Sequence, residues 1–170
     1  MKLPQPAPHL SPTRRRGISP MGVATLVAVF AVVIVITLSS LRGIAMQENE
    51  DHVQRLLRAL GKSAASEVHA APPADLRALT EADTGLEREL NDSRWSGERL
   101  FRHGYLVHMI HQGADGPVLV AWPADHGNTG NRAFMWTPTE GLRDLRSPDQ
   151  PYSGLVNAPT PAELPLPAAD

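Results

Sequence analysis

Cysteine is absent from this chain of 170 residues, and several other sources of stability or chemistry are scarce. Without cysteine the protein has no disulfide, no thiolate metal site and no cysteine nucleophile. Aromatic residues make up 5% of the sequence, so we expect any packed core to be small. The formal net charge is −2 at pH 7, which gives no electrostatic reason to expect a nucleic-acid partner.

Groupings of residues that carry catalysis or bind metals are also missing from the sequence. His103, His108 and His111 follow closely on one another. On a strand, however, positions 108 and 111 face opposite sides, and positions 103 and 111 lie far apart along it. The carboxylates of the second half fall in or beside turns, where they are ordinary. We therefore expect no metal, no cofactor and no enzymatic activity.

One long apolar run dominates the first quarter of the chain. Residues 17–41 contain no ionisable side chain, and roughly 20 apolar residues are enough to cross a bilayer as a helix. The run is preceded by three basic residues, Arg14, Arg15 and Arg16. Positive charge marks the cytoplasmic side of a membrane segment. We predict a basic cytoplasmic leader at residues 1–17, a transmembrane helix at residues 18–41, and later residues outside the cytoplasm.

A cleaved secretory signal is the alternative to a permanent anchor. Such signals have an apolar stretch of about 7–15 residues followed by a small-x-small cleavage site. Gly43-Ile44-Ala45 loosely matches such a site, but Arg42 stands directly before it and the apolar run is longer. We therefore expect the helix to be retained in the membrane.

The helix is expected to continue beyond the membrane as an amphipathic segment over residues 42–70. Apolar residues recur there at a period of 3.6, which indicates one buried stripe. The stripe consists of Val53, Leu56, Leu57, Leu60, Ala64 and Val68. Ala71-Pro72-Pro73 should end the helix, because a residue that precedes proline disfavours helical geometry.

Residues 71–146 are predicted to form a small α+β head. Asp75 is expected to cap a short helix at residues 76–80, and Asp83 or Thr84 to start another. The side-chain period then changes to two, which is typical of strands. Three or four antiparallel strands are predicted: Gly104–Gln112, Pro117–Trp122, Arg132–Thr137 and a short Leu142–Leu145. Because so few strands are only marginally stable alone, we expect the amphipathic half of the long helix to pack on the sheet.

The end of the chain is rich in proline. Residues 147–170 contain Pro148, Pro151, Pro159, Pro161, Pro165 and Pro167. Such a composition predicts an extended tail that takes no part in a packed core.

Two groups of residues match the pattern of one known family. At the start, Arg14-Arg15-Arg16-Gly17 is followed by Ile18 and the apolar run. In the head, the matching residues are Gly104, Tyr105, Pro123, Gly127, Thr129, Gly130 and Phe134. Pro123 is expected to end a strand, Gly127 and Gly130 to adopt positive φ, and Phe134 to face the core. Together these features resemble type IV pilins and the pseudopilins of type II secretion.

The resemblance implies a structural subunit of a pilus or secretion system. A prepilin peptidase would cut between Gly17 and Ile18. The protein would then span the bacterial inner membrane once, with its amino terminus in the cytoplasm and its head in the periplasm. Its partners would be membrane lipid and other pilin-like subunits. The alternative is an uncleaved single-pass protein that presents a small extracytoplasmic domain for protein binding.

The sequence departs from the family pattern near the proposed amino terminus. The fifth mature residue of the family is normally a glutamate that pairs with a neighbouring subunit, whereas this chain has Gly22 there. Subunits without the glutamate resemble the minor or tip members of the family. Pro20 at the third mature position is also unusual, and we expect the helix to start there, because proline fits a first helical turn.

Overall fold

The structure is a computed structural model that describes residues 19–66, 73–111, 116–146 and 151–164. The chain divides into two units, with the boundary between Ser39 and Ser40. In chain order the described elements are α1 (Pro20–Ala64), α2 (Leu76–Ala82), α3 (Thr84–Glu89), β1 (Arg94–Ser96), β2 (Arg99–Arg102), β3 (Tyr105–His111), β4 (Pro117–Pro123), β5 (Ala133–Thr137), β6 (Gly141–Leu145) and a 3-10 turn (Pro161–Glu163).

The first part of α1 is apolar and exposed. The helix begins at Pro20 as expected, and the hydroxyl of Ser19 accepts a hydrogen bond of 3.1 Å from the backbone N–H of Gly22. An 18-residue window of α1 has a mean hydropathy of 2.8 and no buried residue. The hydroxyls of Thr25 and Thr37 donate to carbonyls four residues back, which satisfies them within the helix. By length and composition, α1 can cross a membrane.

The second half of α1 ends earlier than the sequence suggested. It stops at Ala64 and not at residue 70. The N–H of Ser66 bonds to the carbonyl of Ser63 at 3.1 Å, a contact between residues three apart that closes the last turn. The side chain of Ser63 also donates to Asp83. The described helix therefore closes in a tight turn between Ser63 and Ser66, before the proline pair at residues 72–73 is reached.

The two short helices start where the sequence predicted. Asp75 caps α2, its carboxylate accepting from the N–H of Ala78 at 2.7 Å. Asp83 caps α3, accepting from the N–H groups of Gly85 and Leu86. Both are standard arrangements for an aspartate that precedes a helix. The predicted caps are confirmed.

The sheet has six antiparallel strands in the order β1-β2-β3-β4-β5-β6. The α+β class is confirmed, but the prediction of three or four strands is wrong. The missed strands are β1 and β2, which pair through Ser96 and Arg99 across a two-residue turn. Gly97 in that turn has a φ of +63°. Because β1 and β2 are short and contain arginines, they do not show the alternation of apolar and polar residues from which strands are predicted.

One face of the sheet packs against the helices. Val53, Leu56, Leu57 and Leu60 of α1 are buried there. Leu76 and Leu79 of α2 join them, together with the strand residues Tyr105, Val107, Met109, Leu119, Phe134 and Trp136. The predicted stripe therefore forms the main core from Val53 to Leu60, and Ala64 packs against it partly buried. Val68 lies outside the described residues.

The other face of the sheet is covered by the end of the chain. Tyr152 and Leu164 are buried against a group formed by Leu106, Ile110, Val118, Val120, Trp122 and Met135. The indole N–H of Trp122 donates to the carbonyl of Gly154 at 2.7 Å. The prediction that the proline-rich end stays outside the core is wrong for residues 151–164. Proline allows an extended segment to cover a sheet face without a ladder of its own.

Candidate functional site: the loop between β4 and β5

The head residues of the family-like pattern come together at one end of the sheet. Residues 124–132, here called the head loop, connect β4 to β5. Tyr105 at the start of β3 pairs with Pro123 at the end of β4, and its ring lies 6.2 Å from that of Phe134 on β5. The predicted end of a strand at Pro123 and the buried position of Phe134 are confirmed. A motif spread over 31 positions is therefore a single cluster in space.

Gly104 and Thr129 are in close contact. A Cβ added to Gly104 would lie 2.6 Å from the Cβ of Thr129, so no other residue fits without movement of the loop. Gly104 also has a φ of +74°, which glycine adopts without strain. Its carbonyl accepts a hydrogen bond of 2.8 Å from the N–H of Ala124. The turn before β3 is thus held to the start of the head loop.

Two glycines of the head loop have different roles. Gly127 has a φ of +79°, as the sequence predicted. Gly130 is not among the residues with positive φ, so the prediction for it is wrong. A Cβ at Gly130 would lie 2.0 Å from the phenol oxygen of Tyr105. Gly130 is therefore required by the Tyr105 side chain and not by its own backbone conformation.

Tyr105 is buried and keeps its proton. Its hydroxyl donates to the carbonyl of Arg132 at 3.0 Å. Burial, and next the nearby charge of Glu50, raise the pKa of Tyr105 above its ordinary value. The phenol is therefore a neutral hydrogen-bond donor that fixes the last residue of the head loop.

Side chains of α1 bind the head loop directly. Arg42 donates to the carbonyl of Gly127 at 2.7 Å, and Asn49 donates to the carbonyl of Thr129 at 3.0 Å. Glu50 accepts from the N–H of Asn131 at 2.9 Å. These three side chains satisfy backbone groups that a loop would otherwise expose to water.

Arg132 extends this contact to the far edge of the sheet. Its guanidinium lies 3.9 Å from Glu50 and binds both carboxylate oxygens of Asp144 on β6. The hydrogen bond to Asp144 raises the pKa of Arg132 further. Because the pair is half exposed, its ionic contribution to stability is small. Both oxygens of Asp144 nevertheless lie within hydrogen-bond distance of one nitrogen, Nη2 of Arg132, and this contact orients the end of the loop.

The residues on α1 that bind the head loop show only a weak signal in the sequence. Arg42 and Asn49 precede Val53 by eleven and four positions, so they lie on the stripe that is buried further along the helix. A polar residue on an otherwise apolar stripe is a sign of a specific partner. The partner itself lies about 80 residues away in the chain and could not be read from local patterns.

The cluster is suited to holding structure together. Its donors and acceptors are paired with one another, as the contacts of Tyr105, Asn49 and Glu50 show. Within the described parts of the chain, no three His, Asp or Glu side chains converge as ligands for a metal ion. The predicted residues Arg14, Arg15, Arg16, Gly17 and Ile18 lie outside the described residues.

Comparison with protein-family models, with curated proteins and with solved structures gives no match. The geometry of this chain and the resemblance of its motifs therefore carry the functional proposal.

Proposed function

We propose that the protein is a membrane-anchored structural subunit of the pilin or pseudopilin kind. The observation that carries the proposal is the composition of α1, which runs from Pro20 to Ala64. Its large apolar side chains are exposed from Met21 to Ile44, and further along the helix Val53, Leu56, Leu57 and Leu60 are buried beneath a sheet. A single helix of this kind is suited to anchoring a small head at a membrane surface.

The head loop supports this proposal. The residues that match the family pattern pack on one another and bind α1 through Arg42, Asn49 and Glu50. Such contacts fix the head on the helix that carries it. A subunit whose membrane helix has to hold a surface domain in a fixed place needs this rigidity.

Gly22 favours a minor or tip subunit within the proposed class. It lies in the first turn of α1, where its N–H is bound by the hydroxyl of Ser19. Position 22 offers no carboxylate to a neighbouring amino terminus. In lipid an unpaired carboxylate is costly, so its absence does not impair insertion but removes a contact between subunits.

The first experiment measures the mass of the intact protein after expression in a host that contains a prepilin peptidase. We expect the loss of residues 1–17, with Ile18 as the new amino terminus. Gly17→Ala should prevent that loss, whereas the matched control Gly22→Ala should leave it unchanged. A protein that retains Met1 in the presence of active peptidase would favour the alternative, an uncleaved single-pass protein with a binding domain.

A further inference from the structure

A cleft lies between α1 and the turn that joins β2 to β3. It has a volume of about 220 Å³, and its lining consists of His52, Val53, Arg55, Leu56, Arg102 and His103. Two of these side chains are apolar and form one wall. The other four carry nitrogen donors, and no carboxylate is among the described residues of the lining. The cleft does not include any residue of the head loop.

The two imidazoles of the cleft stack on each other. The ring centroids of His52 and His103 are 4.6 Å apart and the rings are nearly parallel, at 21°. His103 has a φ of +45°, in the left-handed region that residues other than glycine seldom adopt. The backbone therefore holds the His103 ring over His52 at some conformational cost.

The two guanidinium groups are incompletely satisfied by protein acceptors. Nε of Arg55 donates to the carbonyl of Asp51 at 3.3 Å, and its Nη2 is 3.2 Å from Nδ1 of His52. Arg102 is largely buried, with 16% of its side chain exposed, and it forms an ion pair with Asp92 at 3.3 Å. The Nε of Arg102 is buried and has no hydrogen-bond partner among the described residues. An unpaired buried donor is uncommon, and it indicates a missing acceptor.

The acidic groups near the cleft stand at its rim. Glu48 is 3.8 Å from His52, and Asp92 pairs with Arg102, but their side chains are 69% and 65% exposed. Burial lowers the pKa of His103, and the charges of His52 and Arg102 lower it further. Asp92 and Glu48 act in the opposite direction without cancelling the shift. The cleft therefore disfavours additional positive charge, and a bound anion would relieve that repulsion.

A lipid headgroup is a poor match to the position of the cleft along α1. The exposed apolar side chains of α1 continue to Ile44. His52 follows eight residues later, which corresponds to about 12 Å along a helix. The headgroup layer on each side of a bilayer is only about 5–8 Å thick. For a membrane segment that ends at Ile44, the cleft lies in the aqueous phase.

We propose that the cleft formed by His52, Arg55, Arg102 and His103 binds a small oxyanion of the sulfate or phosphate class. Guanidinium groups match the geometry of such oxyanions, and the imidazole rings add N–H donors. The site itself does not rest on the proposed membrane-subunit function; only the argument against a lipid headgroup does.

The test uses the full chain in uncharged detergent micelles, with sulfate as the probe because it keeps its double charge throughout the neutral pH range. Carbon-13-labelled histidine rings are followed by NMR while sulfate replaces chloride at constant ionic strength. We expect saturable shifts of the His52 and His103 signals. The His108 and His126 signals should not show the same saturation.

Three variants separate the site from general effects of sulfate on folded proteins. Arg55→Gln should weaken binding by about fivefold or more, whereas Arg58→Gln, on the same helix, should not change it. His103→Asn tolerates the positive φ and should also weaken binding while the other histidine signals stay in place. The proposal is overturned if chloride and sulfate act alike, if Arg55→Gln and Arg58→Gln behave alike, or if anionic lipid alone saturates the His52 and His103 signals.

Discussion

The phenol of Tyr105 stands directly against Gly130, where an added Cβ would lie 2.0 Å from the phenol oxygen and 2.6 Å from Cζ. The ring cannot swing away easily, because it is fully buried and its hydroxyl is bound to the carbonyl of Arg132. The contact joins β3 to the head loop. It explains why a small residue is needed at a position whose backbone has no positive φ.

Gly130→Ala is expected to destabilise the head by about 2–3 kcal/mol, the usual cost of forcing extra volume into a packed site. Urea unfolding in uncharged detergent micelles, followed by tryptophan fluorescence, measures the change. The control is Gly127→Ala, where an added Cβ has no atom within 4 Å and only the φ of +79° opposes it. That strain costs about 1–2 kcal/mol. A loss for Gly130→Ala no larger than that for Gly127→Ala would contradict the importance of the Tyr105 contact.

Two glycines of α1 should respond in opposite directions to alanine. At Gly43 an added Cβ has no atom within 4 Å, so Gly43→Ala should stabilise the helix by about 1 kcal/mol. At Gly61 it would lie 2.2 Å from an atom of the Trp136 ring. Gly61→Ala should therefore destabilise the head by about 2 kcal/mol, as measured by urea unfolding. Combining Gly61→Ala with Trp136→Leu should recover part of that loss. If Gly43→Ala and Gly61→Ala both stabilise the protein, the contact with Trp136 is unimportant.

Local patterns in the sequence predicted the local parts of the fold. The cap at Asp75, the helix start at Pro20 and the buried stripe from Val53 to Leu60 all depend on neighbours in the chain. The strands β3 to β6 have clear alternation or turn glycines, and they were predicted within one or two residues. Features that depend on nearby residues could thus be derived without the structure.

Contacts between distant residues could not be predicted in this way. The glycine at position 130 was expected to serve its own backbone, but the Tyr105 ring, 25 positions earlier, determines it. The bonds from Asn49 and Glu50 to the head loop join residues about 80 positions apart. A polar residue on the apolar stripe, such as Asn49, signals that a partner exists, but nothing nearby in the sequence shows which residue that partner is.

Removal of the Tyr105 hydroxyl should lower the free energy of unfolding by about 1 kcal/mol, the usual net value of one hydrogen bond.

The structure also predicts that the stability provided by Tyr105 depends on pH. The pKa of Tyr105 is higher in the folded protein than in the unfolded chain, so its contribution to stability is fully present below about pH 10 and is lost as the pH rises above it. Tyr105→Phe should lack this alkaline decline, as measured by urea unfolding at pH 8 and pH 10.5. An equal decline in both proteins would assign the effect to other groups.

Glu50 should matter mainly as a hydrogen-bond acceptor for the head loop. Glu50→Ala leaves the N–H of Asn131 without its partner, which accepts at 2.9 Å, and should cost about 1–2 kcal/mol. Glu50→Gln keeps an oxygen in place and loses only the ionic contact with Arg132 at 3.9 Å, so its cost should be below about 1 kcal/mol. Urea unfolding of both variants distinguishes the two roles. If glutamine costs as much as alanine, the charge is the important property.

The end of the chain should stabilise the face of the sheet that it covers. Tyr152 is buried against that face, and the neighbouring carbonyl of Gly154 accepts from the indole of Trp122. Tyr152→Ala should cost about 3 kcal/mol, as for other large aromatic residues removed from a core, and should move the Trp122 emission to longer wavelength as water reaches the ring. Leu155 in the same segment is 56% exposed, so Leu155→Ala should change stability by less than about 0.5 kcal/mol. Tyr152→Ala could instead give the same unfolding curve and emission spectrum as the original protein. In that case residues 151–164 do not form part of the folded core in solution.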